Sequence, residues 1–197
     1  MESAAKLHHA INLIMNKSLL FFMLLFEIAS STCSREQTKQ VRELKEIKNF
    51  LSQVYEQELK DSSSILTNEP SKIAFNEIKD EAFFTPADRK EIEAALIQST
   101  IIDWEKVLLK QKKYISQAKV DTIFSKKDPF GGWNYVYKHV GKKIATVSVP
   151  VFFRNNTFCL FYADYSCGWL CGYGELNLFQ KKNNKWIKIR TFSSWIS

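Results

Sequence analysis

Cysteine carries the strongest chemical signal in this 197-residue chain. Cys167 and Cys171 stand four apart in Cys-Gly-Trp-Leu-Cys-Gly-Tyr-Gly, residues 167–174. In an oxidising compartment such a pair is most simply a disulfide that staples a turn. Two sharper chemistries compete for the same atoms. A dithiol redox site uses C-x-x-C at a helix start, whereas this is C-x-x-x-C in a β turn. A zinc site could draw on Cys159, Cys167, Cys171 and His139, but an oxidising compartment keeps few thiols reduced. The staple is therefore expected, with Cys159 left as a buried strand thiol. On spacing alone, the two pairings that use Cys159 stay open.

Other catalytic groups are sparse. His139 is the one histidine beyond the first 32 residues, so a Ser–His or Cys–His mechanism there must use it. The two-histidine helical zinc motif, the G-x-S-x-G elbow, the P-loop and a strand-to-helix G-x-G-x-x-G are all absent. No catalytic residue, metal site or cofactor is assigned. Asp164 and Glu175 flank the glycine-rich turn and give the best carboxylate pair for hydrolysis, with Asp103 a further acid. Aromatic residues are the better lead. Trp169 and Tyr173 lie on the turn, where an aromatic pair could stack on a sugar ring or anchor a partner, with Glu175 beside them. Trp133, Tyr135 and Tyr137 alternate at strand spacing and read as one packed face of a sheet.

The N-terminus sets the compartment. Leu19 to Ile28 is an apolar run broken by Glu27, preceded by Lys17 and followed by Ala29, Ser30, Ser31 and Thr32. A positive start, a short apolar stretch and small residues describe a secretory signal over residues 1–32, with Met15 a candidate true start. The run is half of the roughly 20 apolar residues that a membrane crossing needs. Ser30-Ser31-Thr32-Cys33 is similar to a bacterial lipobox, so Cys33 is the expected lipidation site and residues 33–38 a tether. The net charge of +7 is spread over small lysine groups. No arginine-rich block or nucleic-acid motif accompanies it, so the charge reads as a solvated face, able to lie against anionic lipid, and nucleic acid is not an expected partner.

The rest of the chain must position these groups. Val41, Leu44, Ile47, Leu51, Val54 and Tyr55 recur at helical spacing and predict a helix from about Gln37 to Lys60, stopped by Asp61-Ser62-Ser63-Ser64. Thr85-Pro86-Ala87-Asp88 predicts a capped helix start, and a short helix is expected around Val120 to Phe124. Past Gly131-Gly132 the period drops towards two. Strands are expected at Ala145–Phe153, Phe158–Tyr165, Gly174–Lys181 and Lys185–Trp195, with hairpin turns at Asn155-Asn156 and Asn183-Asn184. Gly168, Gly172 and Gly174 suggest backbone conformations that other residues resist. The fold expected is α+β: one domain over residues 39–197, its helical part (39–128) packed on a C-terminal four-stranded antiparallel meander (130–197).

The strand-rich part also carries a likeness. Ser148-Val149-Pro150-Val151-Phe152, Phe161-Tyr162, Gly168-Trp169-Leu170, Gly172-x-Gly174, Lys182, Trp186 and the final Trp195-Ile196-Ser197 follow in order. The pattern resembles a group of uncharacterised secreted bacterial proteins and lipoproteins, with a G-x-L-x-G-x-G turn and a terminal W-I-S. That resemblance implies export and offers no activity to carry over, and small residues in the group at positions 167 and 171 imply a local staple. The expected function is a non-catalytic envelope lipoprotein, held to the membrane by its lipid and binding an envelope protein or glycan through Trp169, Tyr173 and Glu175. The alternatives are an envelope hydrolase using Asp164 and Glu175, and a periplasmic inhibitor or immunity-type protein.

Overall fold

The computed structural model describes residues 40–74, 76, 78, 82–98, 103–108, 113–125 and 131–197. The expected signal peptide, lipidation site Cys33 and tether lie outside the described residues. The chain divides into two compact units, residues 1–46 and 47–197. Residues 40–46 of the first are helical. Among the described residues no helix is long and apolar enough to cross a membrane.

Helix α1 (residues 40–54) breaks at Tyr55 and resumes as α2 (Glu56–Lys60). Asp61 ends it, its carboxylate accepting both the Ser63 N–H and the Ser63 hydroxyl at 2.9 and 2.7 Å. The next elements are β1 (Ser64–Thr67), α3 (Pro86–Gln98), α4 (Trp104–Val107), β2 (Lys113–Ile115), α5 (Gln117–Phe124) and α6 (Gly131–His139). Strands β3 (Lys143–Val147), β4 (Val151–Phe153), β5 (Phe158–Gly168), β6 (Cys171–Lys182) and β7 (Lys185–Ile196) complete the chain. The start of α3 is a reciprocal cap: the Thr85 N–H and hydroxyl donate to Asp88, whose N–H donates back to Thr85 Oγ1.

The architecture is α+β, with N-terminal helices and antiparallel C-terminal strands β5-β6-β7 inside a mixed seven-stranded sheet. The order is β2-β1-β3-β5-β6-β7, and β4 pairs with β5. Strand β1 runs parallel to both β2 and β3, so the sheet extends past the expected meander by two short strands from the helical part. The single strand expected at Ala145–Phe153 is two, both paired with the same edge of β5 and separated by a one-residue shift of register across Ser148–Pro150. Pro150 has no N–H for a ladder, and Ser148 exchanges backbone and side-chain bonds with Tyr162 instead. Both asparagine pairs turn hairpins with positive φ, at 55° and 58° for Asn155 and Asn156 and at 51° and 60° for Asn183 and Asn184.

The strand expected at Trp133, Tyr135 and Tyr137 is corrected. Trp133, Tyr135 and Tyr137 lie on helix α6, not on a strand. The helix is set by Val136, fully buried, and Val140 one turn on, which seat on Ile65, Ile115, Ile123 and Ile144. Those partners come from four other elements, so an aromatic alternation of only three residues misreads the local period.

Two further cores flank the sheet. On one face Phe50 of α1 makes edge-to-face contacts with Phe161, Phe179 and Trp186 at 5.2–5.3 Å. On the other, Ile92 of α3 and Phe84 pack on Val151, Phe153, Leu160, Leu176 and Leu178.

Candidate functional site

Strand alternation decides which side chains of β5 and β6 meet. Phe161 pairs with Asn177, Ala163 with Glu175 and Tyr165 with Tyr173, so these six share one face. On that face, where α1 breaks at Tyr55, a cleft of about 340 Å³ opens between the Tyr55–Glu58 turn and the sheet. The break gives the helix wall a phenol and a carboxylate instead of another apolar turn.

Two of the acids that line the cleft, Glu58 and Glu175, each have a lysine partner. Lys143 bonds Glu58 at 2.7 Å and Asp61 at 3.1 Å, and lies 5.2 Å over the Tyr165 ring. Burial works against the Lys143 charge, but Glu58 and Asp61 outweigh it and hold the ammonium above the usual lysine range. Across the floor, Lys188 reaches Glu175 at 3.0 Å and the Asn177 amide donates to the same carboxylate at 2.8 Å. The Thr191 hydroxyl fixes Asn177 in turn at 2.7 Å. Burial pushes Glu175 up, yet Tyr173, Asn177 and Lys188 together bring it below the usual carboxylate range.

The phenols stay protonated. The Tyr173 hydroxyl is hydrogen-bonded to Glu175, and this bond, with burial and the nearby charge, pushes its pKa up to about 12. Burial, then the Glu58 and Asp164 charges, raise Tyr55 well above the usual phenol range. The Tyr165 and Tyr173 rings stand 6.3 Å apart, inclined at 46°. The cleft thus presents inclined aromatic rings, phenolic donors and two acids each held by a lysine.

Beyond the Tyr165–Tyr173 rung the hairpin closes. Cys167 and Cys171 form a disulfide with Cα atoms 5.0 Å apart, and Cys159 is a buried free thiol. The register shifts between Ser166 and Gly168, a bulge at Cys167, and Gly168 then pairs with Cys171 across Trp169 and Leu170. Trp169, 59% exposed, sits on this turn, while Tyr173 faces the cleft. The glycines do not serve as expected, since no glycine among the described residues has positive φ. A Cβ on Gly174 would stand 2.7 Å from Trp195 Cε2, and one on Gly172 2.8 Å from Trp195 Cζ3. They leave room for an indole lying flat on the opposite face of the sheet.

That face holds Asp164, which pairs with Gly174 in register. Asp164 and Glu175 therefore leave opposite faces of the sheet. Tyr162 and Thr146 hydrogen-bond Asp164, Trp195 Nε1 donates to the Tyr162 hydroxyl at 2.9 Å, and burial pushes the carboxyl up. The remaining candidates fall elsewhere. Asp103 caps α4 through the Glu105 N–H at 2.9 Å. His139 stacks on Tyr135 at the exposed end of α6, 4.7 Å between centroids. Among the described residues no group of histidine, cysteine and acid side chains could hold a metal ion.

Tyr55, Glu58, Lys143, Tyr165 and Lys188 were not singled out from sequence. One signal was there for Tyr165: counting outwards from the staple pairs Ser166 with Gly172 and Tyr165 with Tyr173. The helix wall had no such signal, because it depends on where α1 breaks. No protein-family model, curated protein or solved structure matches this chain.

Proposed function

We infer that the protein is a non-catalytic, lipid-anchored module of the cell envelope that binds neutral glycan in the Tyr55–Tyr165–Tyr173 cleft. The observation that carries this reading is the pairing of Glu58 with Lys143 and of Glu175 with Lys188 inside an aromatic cleft. An anionic ligand would have to displace Glu58 or Glu175 from its lysine. A neutral polyol can lay an apolar ring face on tyrosine and take hydrogen bonds from phenols.

Chemistry has less support. General acid–base work needs a group near its operating pH. Glu175 is held low, and the raised Asp164 faces the other side of the sheet. The apolar run, Cys33 and the resemblance to secreted proteins support the envelope location.

Calorimetric titration with neutral β-linked oligosaccharides tests the reading. We expect saturable binding that weakens about tenfold in Tyr173→Ala, the equivalent of losing about 1.4 kcal/mol of contact. Failure of every neutral oligosaccharide together with tight binding of an anionic one would overturn it. Intact mass of the membrane-purified protein tests the anchor, by lipid mass on a chain that starts at Cys33.

A further inference from the structure

The hairpin tip beyond the cleft has properties that the glycan reading does not use. Trp169 is 59% exposed and Leu170 81%, and Ile196 on the adjoining strand is 81% exposed. Three ties hold this end in shape. The disulfide closes the turn, the Tyr137 hydroxyl donates to the Cys167 carbonyl at 2.6 Å, and the Ser197 N–H donates to the Gly172 carbonyl at 3.1 Å. A large apolar pair is thus held outward by a braced scaffold.

Residues 165–174 and the whole of α6 contain no acid. Lys138 and His139 occupy the last turn of α6, next to the Tyr137 brace, and Lys142 follows. Neither lysine has an ion-pair partner among the described residues. The shape also discriminates between partners. A stable protein interface takes about 800 Å² from each side, more than a two-residue turn can offer. A bilayer asks only for apolar side chains at the headgroup boundary, where tryptophan is favoured, and for cations against anionic lipid.

We propose that the Trp169–Leu170 tip inserts into the headgroup–acyl boundary of an anionic lipid bilayer, with Lys138 and Lys142 against the headgroups. Insertion would hold the β5–β6 hairpin against the membrane whether or not Cys33 carries lipid.

The test reads depth rather than attachment, so a lipid anchor does not mask it. The full chain is mixed with vesicles of phosphatidylcholine and phosphatidylglycerol brominated on the acyl chains, and tryptophan fluorescence is followed. We expect quenching that is lost in Trp169→Phe and reduced in Leu170→Asp. It should fall severalfold when the phosphatidylglycerol is left out or the salt is raised. Near-ultraviolet circular dichroism of each variant checks that the fold persists. Absence of quenching overturns the proposal. So does quenching unchanged in Trp169→Phe, which would assign it to another tryptophan, or equal quenching in vesicles without phosphatidylglycerol. A tip whose substitution abolishes cross-linking to an envelope protein, with vesicle quenching untouched, would make the patch a protein contact and overturn it as well. Glycan binding by the same variants is read separately, so either reading can fail alone.

Discussion

On one face of the β5–β6 hairpin, Glu175 shares its charge with Lys188, Asn177 and Tyr173 beside an open cleft. One residue back on the ladder and on the other face, Asp164 lies near the Trp195 indole with hydroxyl partners and no cation among the described residues. The same two strands carry both carboxyls, so secondary structure does not separate them. What separates them is what the register places opposite. Ala163 stands across from Glu175 and leaves space for a lysine to reach in, whereas Gly174 stands across from Asp164 and lets an indole lie over it. A one-residue alternation thus gives one acid a lysine partner and the other, equally half-buried, only hydroxyl partners.

Filling the space under the indole should break this contrast most strongly. In Gly174→Ala the new Cβ meets Trp195 Cε2 at 2.7 Å and Asp164 Cβ at 3.0 Å, so the ring must move. We expect a loss of about 1–3 kcal/mol in urea unfolding, typical of overpacking. Tryptophan fluorescence should shift as the indole is displaced. Unchanged stability would mean that the indole has no fixed seat.

The staple comes next. Cys167→Ser with Cys171→Ser removes a cross-link that closes a very short loop, worth about 2 kcal/mol in the chain-entropy model. Because the Tyr165–Tyr173 rung is close by, oligosaccharide affinity should fall with it, while the Asp164 face keeps its behaviour. Equal loosening of both faces would show that the hairpin responds as one body. Removing a single brace should do less. Tyr137→Phe deletes the 2.6 Å bond to the Cys167 carbonyl, and a loss of about 1 kcal/mol is expected in the same unfolding assay.

How much of this was legible follows from where each partner lies in the sequence. The asparagine turns, the Thr85–Asp88 cap and the staple could be read because each is closed by residues within five positions. Helix α6 and strand β1 were not legible. Val136 owes its burial to isoleucines up to 71 positions away in sequence (Ile65), and Ser64–Thr67 is four buried residues with no alternation to show. A short, wholly buried run carries no period. The cleft was half legible, since its floor is local hairpin pairing and its wall is a helix break more than a hundred residues earlier. The opposite facing of Asp164 and Glu175 follows from the same outward count from the staple, which sets Gly174 across from Asp164 and Ala163 across from Glu175.

The smallest change we expect comes from removing each charge without changing shape, and it is read as a direction. Burial holds the Asp164 carboxyl above its usual range, so its protonated form belongs to the folded state. That contribution is complete below the unfolded pKa and is lost as pH rises through the folded value. Glu175 is held below its usual range, so its contribution is present above the unfolded pKa and is lost as pH falls through the folded value. Asp164→Asn and Glu175→Gln should therefore match the parent in acid, where all three are neutral at these positions. From about pH 3 to about pH 8, bracketing the carboxylate range, they should diverge in opposite directions. Asp164→Asn should gain on the parent as pH rises, because the parent must then ionise an acid that no cation pairs. Glu175→Gln should fall behind it, because only the parent gains the Lys188 pair. Urea midpoints at each pH distinguish the two, and parallel curves would mean that the faces hold their acids alike, removing the basis for treating the cleft as the binding side.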